Sequence, residues 1–203
     1  MTTDFGARVR RSLSATEPTI IVPLEGDRQA AVTVLLGEGE QEPAVLFVRR
    51  AKSVNDPWSG HTALPGGHFS STDSDLLDTA RRETLEEVGI KLPRTAYLGR
   101  LDDVRPSARS PSVVVAAFVA ATSRAVRIRL SHEIEGHRWI PLSALRDPAH
   151  RSELSHRSRG LQLLFPSIVY RELTIWGLTH QILSNFLDVT EGISSTLSRE
   201  AAP

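Results

Sequence analysis

The sequence predicts an α/β protein, a three-layer α/β/α sandwich around a mixed β-sheet. Two observations carry the prediction. Short β-branched runs bounded by Gly, Pro and Asp recur on both sides of the chain's middle. Two helical patterns, one in the middle and one near the end, supply outer layers for a sheet. At 203 residues the chain is long enough for one domain with a full core, spanning 1–203 with flexible ends at 1–18 and 190–203.

Taken in order, the polar start holds a short helix around Phe5 to Leu13. Ile20 to Leu24 and Ala30 to Leu36 read as strands, as does Pro43 to Val48, which ends in Arg49-Arg50. A loop from Ala51 to Ser59 leads into Gly60-His-Thr-Ala-Leu-Pro65 and the Gly66-Gly67 turn. Thr72-Asp-Ser-Asp75 has capping-box spacing, so a helix begins near it, and Gly89 stops that helix. Tyr97 to Val104 and Ser112 to Ala121 are strands, the second apolar enough to be central. Ile134 to Leu142 is another strand, followed by a short helix from Pro141 to Leu145. Residues 146–160, rich in Arg, Ser and His, read as a mobile excursion. Ile175, Leu178, Ile182 and Phe186 then follow helical spacing.

Composition narrows the function. Acidic and basic residues balance at 24 each, so no basic surplus points to nucleic acid. Arginines do gather between Arg124 and Arg159, where they suit an anionic ligand. The absence of cysteine excludes disulfides, zinc–thiolate sites and cysteine nucleophiles. No apolar run approaches membrane-spanning length and no signal core opens the chain. A soluble, cytoplasmic protein without membrane contact is expected.

The informative stretch runs from Gly66 to Ile90. At 100° per residue, Leu76, Leu77, Ala80, Thr84 and Val88 share one side of its helix. Glu83 and Glu87 stack one turn apart at the edge of that stripe, with Glu86 further round and Arg82 one turn before it. Three neighbouring carboxylates repel, and a helix shaped only for solubility would place them opposite the apolar side. A solvated acidic helix with an Arg82–Glu86 pair is the plain alternative. A cluster of hard oxygen ligands is what Mg²⁺ or Mn²⁺ takes, above all when a substrate adds phosphate oxygens.

With its Gly66-Gly67 turn, the Arg82-Glu83-x-x-Glu86-Glu87-x-Gly89-Ile90 pattern resembles the signature helix of Nudix hydrolases. The stretch departs in three places. The Gly67-to-Arg82 spacing is one residue longer, Ser74 with Asp73 beside it stands where a first Glu belongs, and Thr84 replaces an aliphatic residue. The longer spacing is that of the coenzyme A diphosphatase branch. Ser59-Gly60-His61-x-x-Leu64-Pro65-Gly66-Gly67 and Ile175-Trp176-Gly177-Leu178-Thr179 are also similar to that branch. Asp56 occupies the register of an arginine in the branch's upstream signature.

The resemblance implies a diphosphatase with a small-molecule diphosphate substrate and bound Mg²⁺ or Mn²⁺. It implies Glu83 and Glu87 as metal ligands, Glu86 as a further ligand or the base, and Gly67 as a carbonyl ligand or a point of close phosphate approach. Arg82 would orient a glutamate, while Arg49, Arg50, Gly66 and His68 would face substrate. Coenzyme A or an acyl derivative is the leading substrate. A nucleoside diphosphate derivative or other organic diphosphate is an alternative, and a non-catalytic nucleotide-sensing module is another. A homodimer is compatible with all three. Glu133 is either a late metal ligand or a surface carboxylate, and Asp102-Asp103 either ligands or strand-end solvation. His61 either touches phosphate or packs its loop, Trp58 stacks on a base or anchors the loop, and Trp139 and Trp176 read as core.

Overall fold

The computed structural model describes residues 4–38, 42–52, 59–106, 113–122, 126–158 and 161–193. Ten strands and four α-helices are described: α1 (Asp4–Ala15), β1 (Arg28–Glu38), β2 (Pro43–Arg50), β3 (Thr62–Ala63), β4 (Gly66–His68), α2 (Leu76–Val88), β5 (Tyr97–Arg100), β6 (Val113–Ala121), β7 (Ile134–Pro141), α3 (Leu142–Arg146), β8 (Arg151–Ser158), β9 (Leu161–Tyr170), β10 (Leu173–Trp176) and α4 (Gly177–Val189).

Among the described residues the main sheet has the order β3-β2-β1-β6-β5, with β4 also on β1 and β7 also on β2. β1 and β6 run parallel from Arg28↔Val113 to Leu36↔Ala121, and the other pairs are antiparallel. The sheet is therefore mixed, as expected. Both faces of its centre are buried because alternate side chains of a strand point to opposite faces. Val34 and Leu36 of β1 join Val115, Ala117 and Val119 of β6 in one core layer. Ala31 and Leu35 join Ala116, Phe118 and Ala120 in the other. α2 closes the second layer through Ala80 and Val88, and α1 and α4 close the first through Phe5, Val9, Leu13, Ile182 and Phe186. This is the three-layer α/β/α sandwich.

Several boundaries differ from the sequence reading. The amino-terminal end is anchored rather than flexible, since Phe5, Val9 and Leu13 repeat every fourth residue and bury one face of α1. Ile20 to Leu24 is not a strand. Its backbone amides go to side chains instead: Thr19 N–H to Asp102 Oδ1 (2.7 Å), Ile21 N–H to Asp103 Oδ2 (3.0 Å) and Leu24 N–H to Asp27 Oδ2 (2.7 Å). Val22 consequently stays 78% exposed. That also gives Asp102 and Asp103 their work, which is to hold this segment. β5 stops at Arg100, and Val104 makes only an isolated bridge to Val115.

The polar stretch after residue 146 is ordered. β8 pairs with β9 from Arg151↔Ile168 to Ser158↔Leu161, and β10 completes a second, three-stranded sheet. A polar sequence makes a strand here because the apolar partner β9 supplies both ladder and anchor. Ile175 belongs to β10, so the last helix begins two residues later at Gly177, whose φ of 59° suits glycine. The loop carrying Asp56 and Trp58 lies outside the described residues, as do Arg124, Arg159 and the tail after residue 193. No helix among the described residues is long and apolar enough to cross a membrane.

Candidate active site on helix α2

The helix is started by Asp75, whose side chain accepts from Asp78 N–H at 2.8 Å, rather than by a reciprocal box with Thr72. Gly89, with φ of 72°, ends it by donating to Leu85 O at 2.9 Å. Thr84, the departure from an aliphatic residue, is fully buried and still satisfied. It donates to Ala80 O at 2.6 Å or to Thr33 Oγ1 at 2.9 Å, and Thr33 Oγ1 lies 3.2 Å from Tyr97 Oη. This hydroxyl chain pins α2 to β1 and β5 and leaves no polar group stranded at that contact.

Against the helix lies the glycine turn. β4 pairs with β1 through Ala31↔Gly67 and Val32↔Gly66. A Cβ at Gly66 would fall 2.6 Å from Val32 Cα, and one at Gly67 would fall 2.5–2.6 Å from the Glu83 carboxylate. Both glycines are needed because backbone and carboxylate occupy the space of a side chain. Gly66 N–H donates to Glu87 Oε2 at 3.0 Å. The turn thus receives Glu83 and Glu87 together, the pair that helical spacing set on one edge.

Arg82 organises the outer side. Its Nε and Nη2 bond both oxygens of Asp73 at 2.8 and 3.0 Å. Nη1 reaches Glu83 Oε1 (2.8 Å) and Glu86 Oε2 (2.9 Å), and Nη2 also donates to His68 O at 3.0 Å. All five guanidinium N–H groups have a partner. Arg82 does orient glutamates as expected, but its two-pronged partner is Asp73. That aspartate also accepts from Ser70 N–H at 3.0 Å and Thr79 Oγ1 at 2.9 Å. Arg82's hydrogen bonds lower the pKa of Asp73 to about 2. The sequence reading places Asp73 beside Ser74 without giving it a role. The signal available was an acid one residue ahead of the departing position, which the extra residue in the spacing brings into reach.

The glutamates behave differently. Burial pushes Glu87 up to about 7, against the Gly66 amide and the Arg50 charge, which favour ionisation; Glu83 and Glu133 push it further up. Burial also raises Glu83, despite its bond to Arg82. Arg50 Nη1 stands 3.8 Å from Glu87 Oε1, a loose pair. Glu86 keeps a side chain 57% exposed.

Of the residues expected to face substrate, Gly66 and Arg50 lie directly on Glu87. His68 contributes its backbone carbonyl to Arg82 and has an exposed ring. Arg49 alternates to the other face of β2 and pairs with Glu135 Oε2 at 3.6 Å, so the structure does not bring it to the glutamates. Glu133 acts electrostatically on both Glu83 and Glu87 from the turn before β7. Trp139 packs on Gly37 as a core residue, with partial burial.

Donor chemistry fits a hard divalent cation. Glu83 and Glu87 present carboxylate oxygens, and burial disfavours their charged forms, a deficit that a cation would relieve. Among the described residues no three acidic or histidine side chains already converge as a cage. Glu86 is exposed and held by Arg82, and the Gly66 backbone amide orients the Glu87 carboxylate from behind. Gly67 shows a steric role, admitting Glu83, in this arrangement.

A mixed sheet with a glycine turn docked on a glutamate-bearing helix defines a Nudix-type domain. The chain belongs to the NUDIX domain family, which it matches over residues 27–159. It is 31% identical over 172 residues to an uncharacterized Schizosaccharomyces pombe protein, covering 73% of this chain and 52% of that one. It is 29% identical over 152 residues to the human mitochondrial coenzyme A diphosphatase NUDT8, covering 74% of this chain and 64% of the relative. The chain therefore spans between about half and two thirds of the length of these relatives. The crystal structure of a MutT/nudix family protein from Enterococcus faecalis shares the fold, with a TM-score of 0.60 and 18% identity over 91% of this chain and 68% of that one.

Proposed function

We propose that the chain is a metal-dependent pyrophosphohydrolase acting on coenzyme A or an acyl derivative, with 4′-phosphopantetheine and adenosine 3′,5′-bisphosphate as products. The observation that carries the hydrolytic reading is the charge deficit at the glycine turn. Glu83 and Glu87 are gathered there, both with their pKa values raised by burial. Glu83 and Glu87 would hold Mg²⁺ or Mn²⁺, which would supply positive charge to a P–O–P group and make a water more acidic. Arg82, itself fixed by Asp73, holds Glu83 and Glu86 in register. Glu86 is the glutamate that faces solvent and is placed to take a proton from an attacking water. Arg50 offers a cation beside Glu87 for phosphate oxygens.

Coenzyme A is supported by the resemblance of Ser59–Gly67 and Ile175–Thr179 to that branch and by the activity named for the human relative. Asp56 in place of an arginine favours a second reading, the same chemistry on another organic diphosphate. A substrate panel with Mg²⁺ and Mn²⁺, products identified by mass spectrometry, decides between them. Cleavage of coenzyme A to the two stated products is expected. Preferential cleavage of a different diphosphate would replace the substrate, and no cleavage of any would overturn the reading.

A further inference from the structure

Four rings, from the loop before β3 and from β8, β9 and β10, meet beside β3 and belong to neither core layer. The ring of Trp176, at the end of β10, lies with its centroid 5.0 Å from His61, 5.1 Å from His156 and 5.7 Å from Phe165, and the last two are 6.3 Å apart. All four are half-buried. On the small sheet Trp176 stands directly across from Ser167, so the two project from the same face. Ser167 is 2% exposed, and among the described residues its Oγ has no hydrogen-bond partner. Two imidazoles, an indole, a phenyl ring and an unsatisfied buried hydroxyl make an amphipathic wall.

The wall adjoins the glutamates. Arg50 N–H donates to His61 O at 3.1 Å, and the Arg50 side chain reaches back to Glu87. Thr179, in the first turn of α4, can donate to Thr62 O at 3.4 Å and ties the Trp176 corner to β3. A ligand with phosphates at Glu87 and Arg50 would extend along His61 towards Trp176.

We propose that Trp176, His61, His156 and Phe165 form the subsite for the heteroaromatic base of the substrate, with Ser167 supplying a hydrogen bond to the base edge. Flat rings in contact favour a flat ring as guest, since stacking acts on the π-face of any base. A ring nitrogen or exocyclic group supplies what the Ser167 hydroxyl lacks. The inference rests on the proposed diphosphatase reading and assigns the residues that hold the base of its substrate.

The test compares AMP with ribose 5-phosphate, which differ by the base and contain no P–O–P bond to cleave. Calorimetric titration of the whole chain in Mg²⁺ is expected to show AMP binding about tenfold more tightly. Trp176→Ala is expected to bring the two ligands within about twofold, and Trp176→Phe, which keeps a smaller ring, to retain about threefold. Circular dichroism checks the fold of both, and the phenylalanine variant decides if the alanine variant does not fold. Equal affinities in the wild type, or an unchanged preference in a folded variant, would overturn the subsite. Base preference without any diphosphate cleavage would instead mark failure of the hydrolase reading, whereas cleavage without base preference marks failure of this one.

Discussion

At the front of α2, Asp73, Asp75 and Asp78 each meet a guanidinium, while further along Glu83 and Glu87 sink against the glycine turn with too little cation to balance them. Arg94 pairs with both Asp75 and Asp78, Arg81 with Asp78, and Arg82 with Asp73. All three aspartates have lowered pKa values as a result, Asp78 chiefly through its bond from Ser74. Glu83 and Glu87 are raised because burial outweighs Arg82 at one and Gly66 and Arg50 at the other. The same helix thus carries acids that complete a structure and acids that leave it electrostatically incomplete. The second kind is what the proposed cation would balance.

The largest effect should come from Glu87→Gln. Glutamine keeps the acceptor for Gly66 N–H but removes a charged ligand, and turnover is expected to fall by at least about a hundredfold. Near-wild-type turnover at saturating metal would take Glu87 out of the site. Without divalent cation, the same variant should be more stable than wild type at pH 8 by about 1–3 kcal/mol, because a buried charge is gone. Denaturant unfolding in EDTA measures it, and a destabilised variant would contradict the proposed imbalance.

The sign of the pH dependence follows from the raised value. Between about 4.5 and 7 the folded chain holds a proton at Glu87 that the unfolded chain has released. The contribution of Glu87 to metal-free stability should therefore fall as pH rises through that window and level off above about 7. Cation affinity should rise across the same window, since the ion competes with that proton. Titration with Mn²⁺ from pH 5 to 8 reads it, and a flat affinity would break the comparison.

Gly67→Ala should lower turnover by about tenfold or more, because its Cβ would lie 2.5–2.6 Å from the Glu83 carboxylate and displace it. Gly136→Ala, in β7, meets nothing within 4 Å and is the control. Equal activity in both variants would mean that the position of Glu83 is unimportant.

Asp73→Asn is expected to cost about 1–2 kcal/mol of stability and a severalfold loss of turnover, as Arg82 loses its charged, two-pronged partner. Asp73 has a lowered pKa, so its contribution is complete above about 3.8 and lost as pH falls through about 2. Acid unfolding curves of variant and wild type should converge there. The smallest functional effect belongs to Asp75→Ala, which removes the helix cap at about 1 kcal/mol while leaving turnover within about twofold. A large loss of turnover in that variant would erase the division between the two sets of acids.

Much of this is legible in the sequence. The strands at Ala30–Leu36 and 113–121 follow from their β-branched and apolar composition, and their burial on both faces marks them as central. Glu83 and Glu87 share an edge because helical residues four apart stack. The resemblance implies a carbonyl ligand or a close phosphate at Gly67, and what the structure places against it is the Glu83 carboxylate. Misreadings occurred where a distant group decides local structure. Ile20–Leu24 has strand composition, but Asp102 and Asp103 take its amides, and the polar β8 becomes a strand because β9 pairs with it.

Residue types and their spacing along the helix determined the carboxylate cluster, since both are local properties of the chain. Only tertiary structure decided that Asp73 rather than position 74 receives Arg82, that Arg50 rather than Arg49 turns towards Glu87, and that Trp176 meets His61 and His156. These are contacts between segments distant in sequence or across loops whose path no periodicity encodes. The raised pKa of Glu87 belongs with them, because burial is a property of what packs around a residue and not of the residue itself.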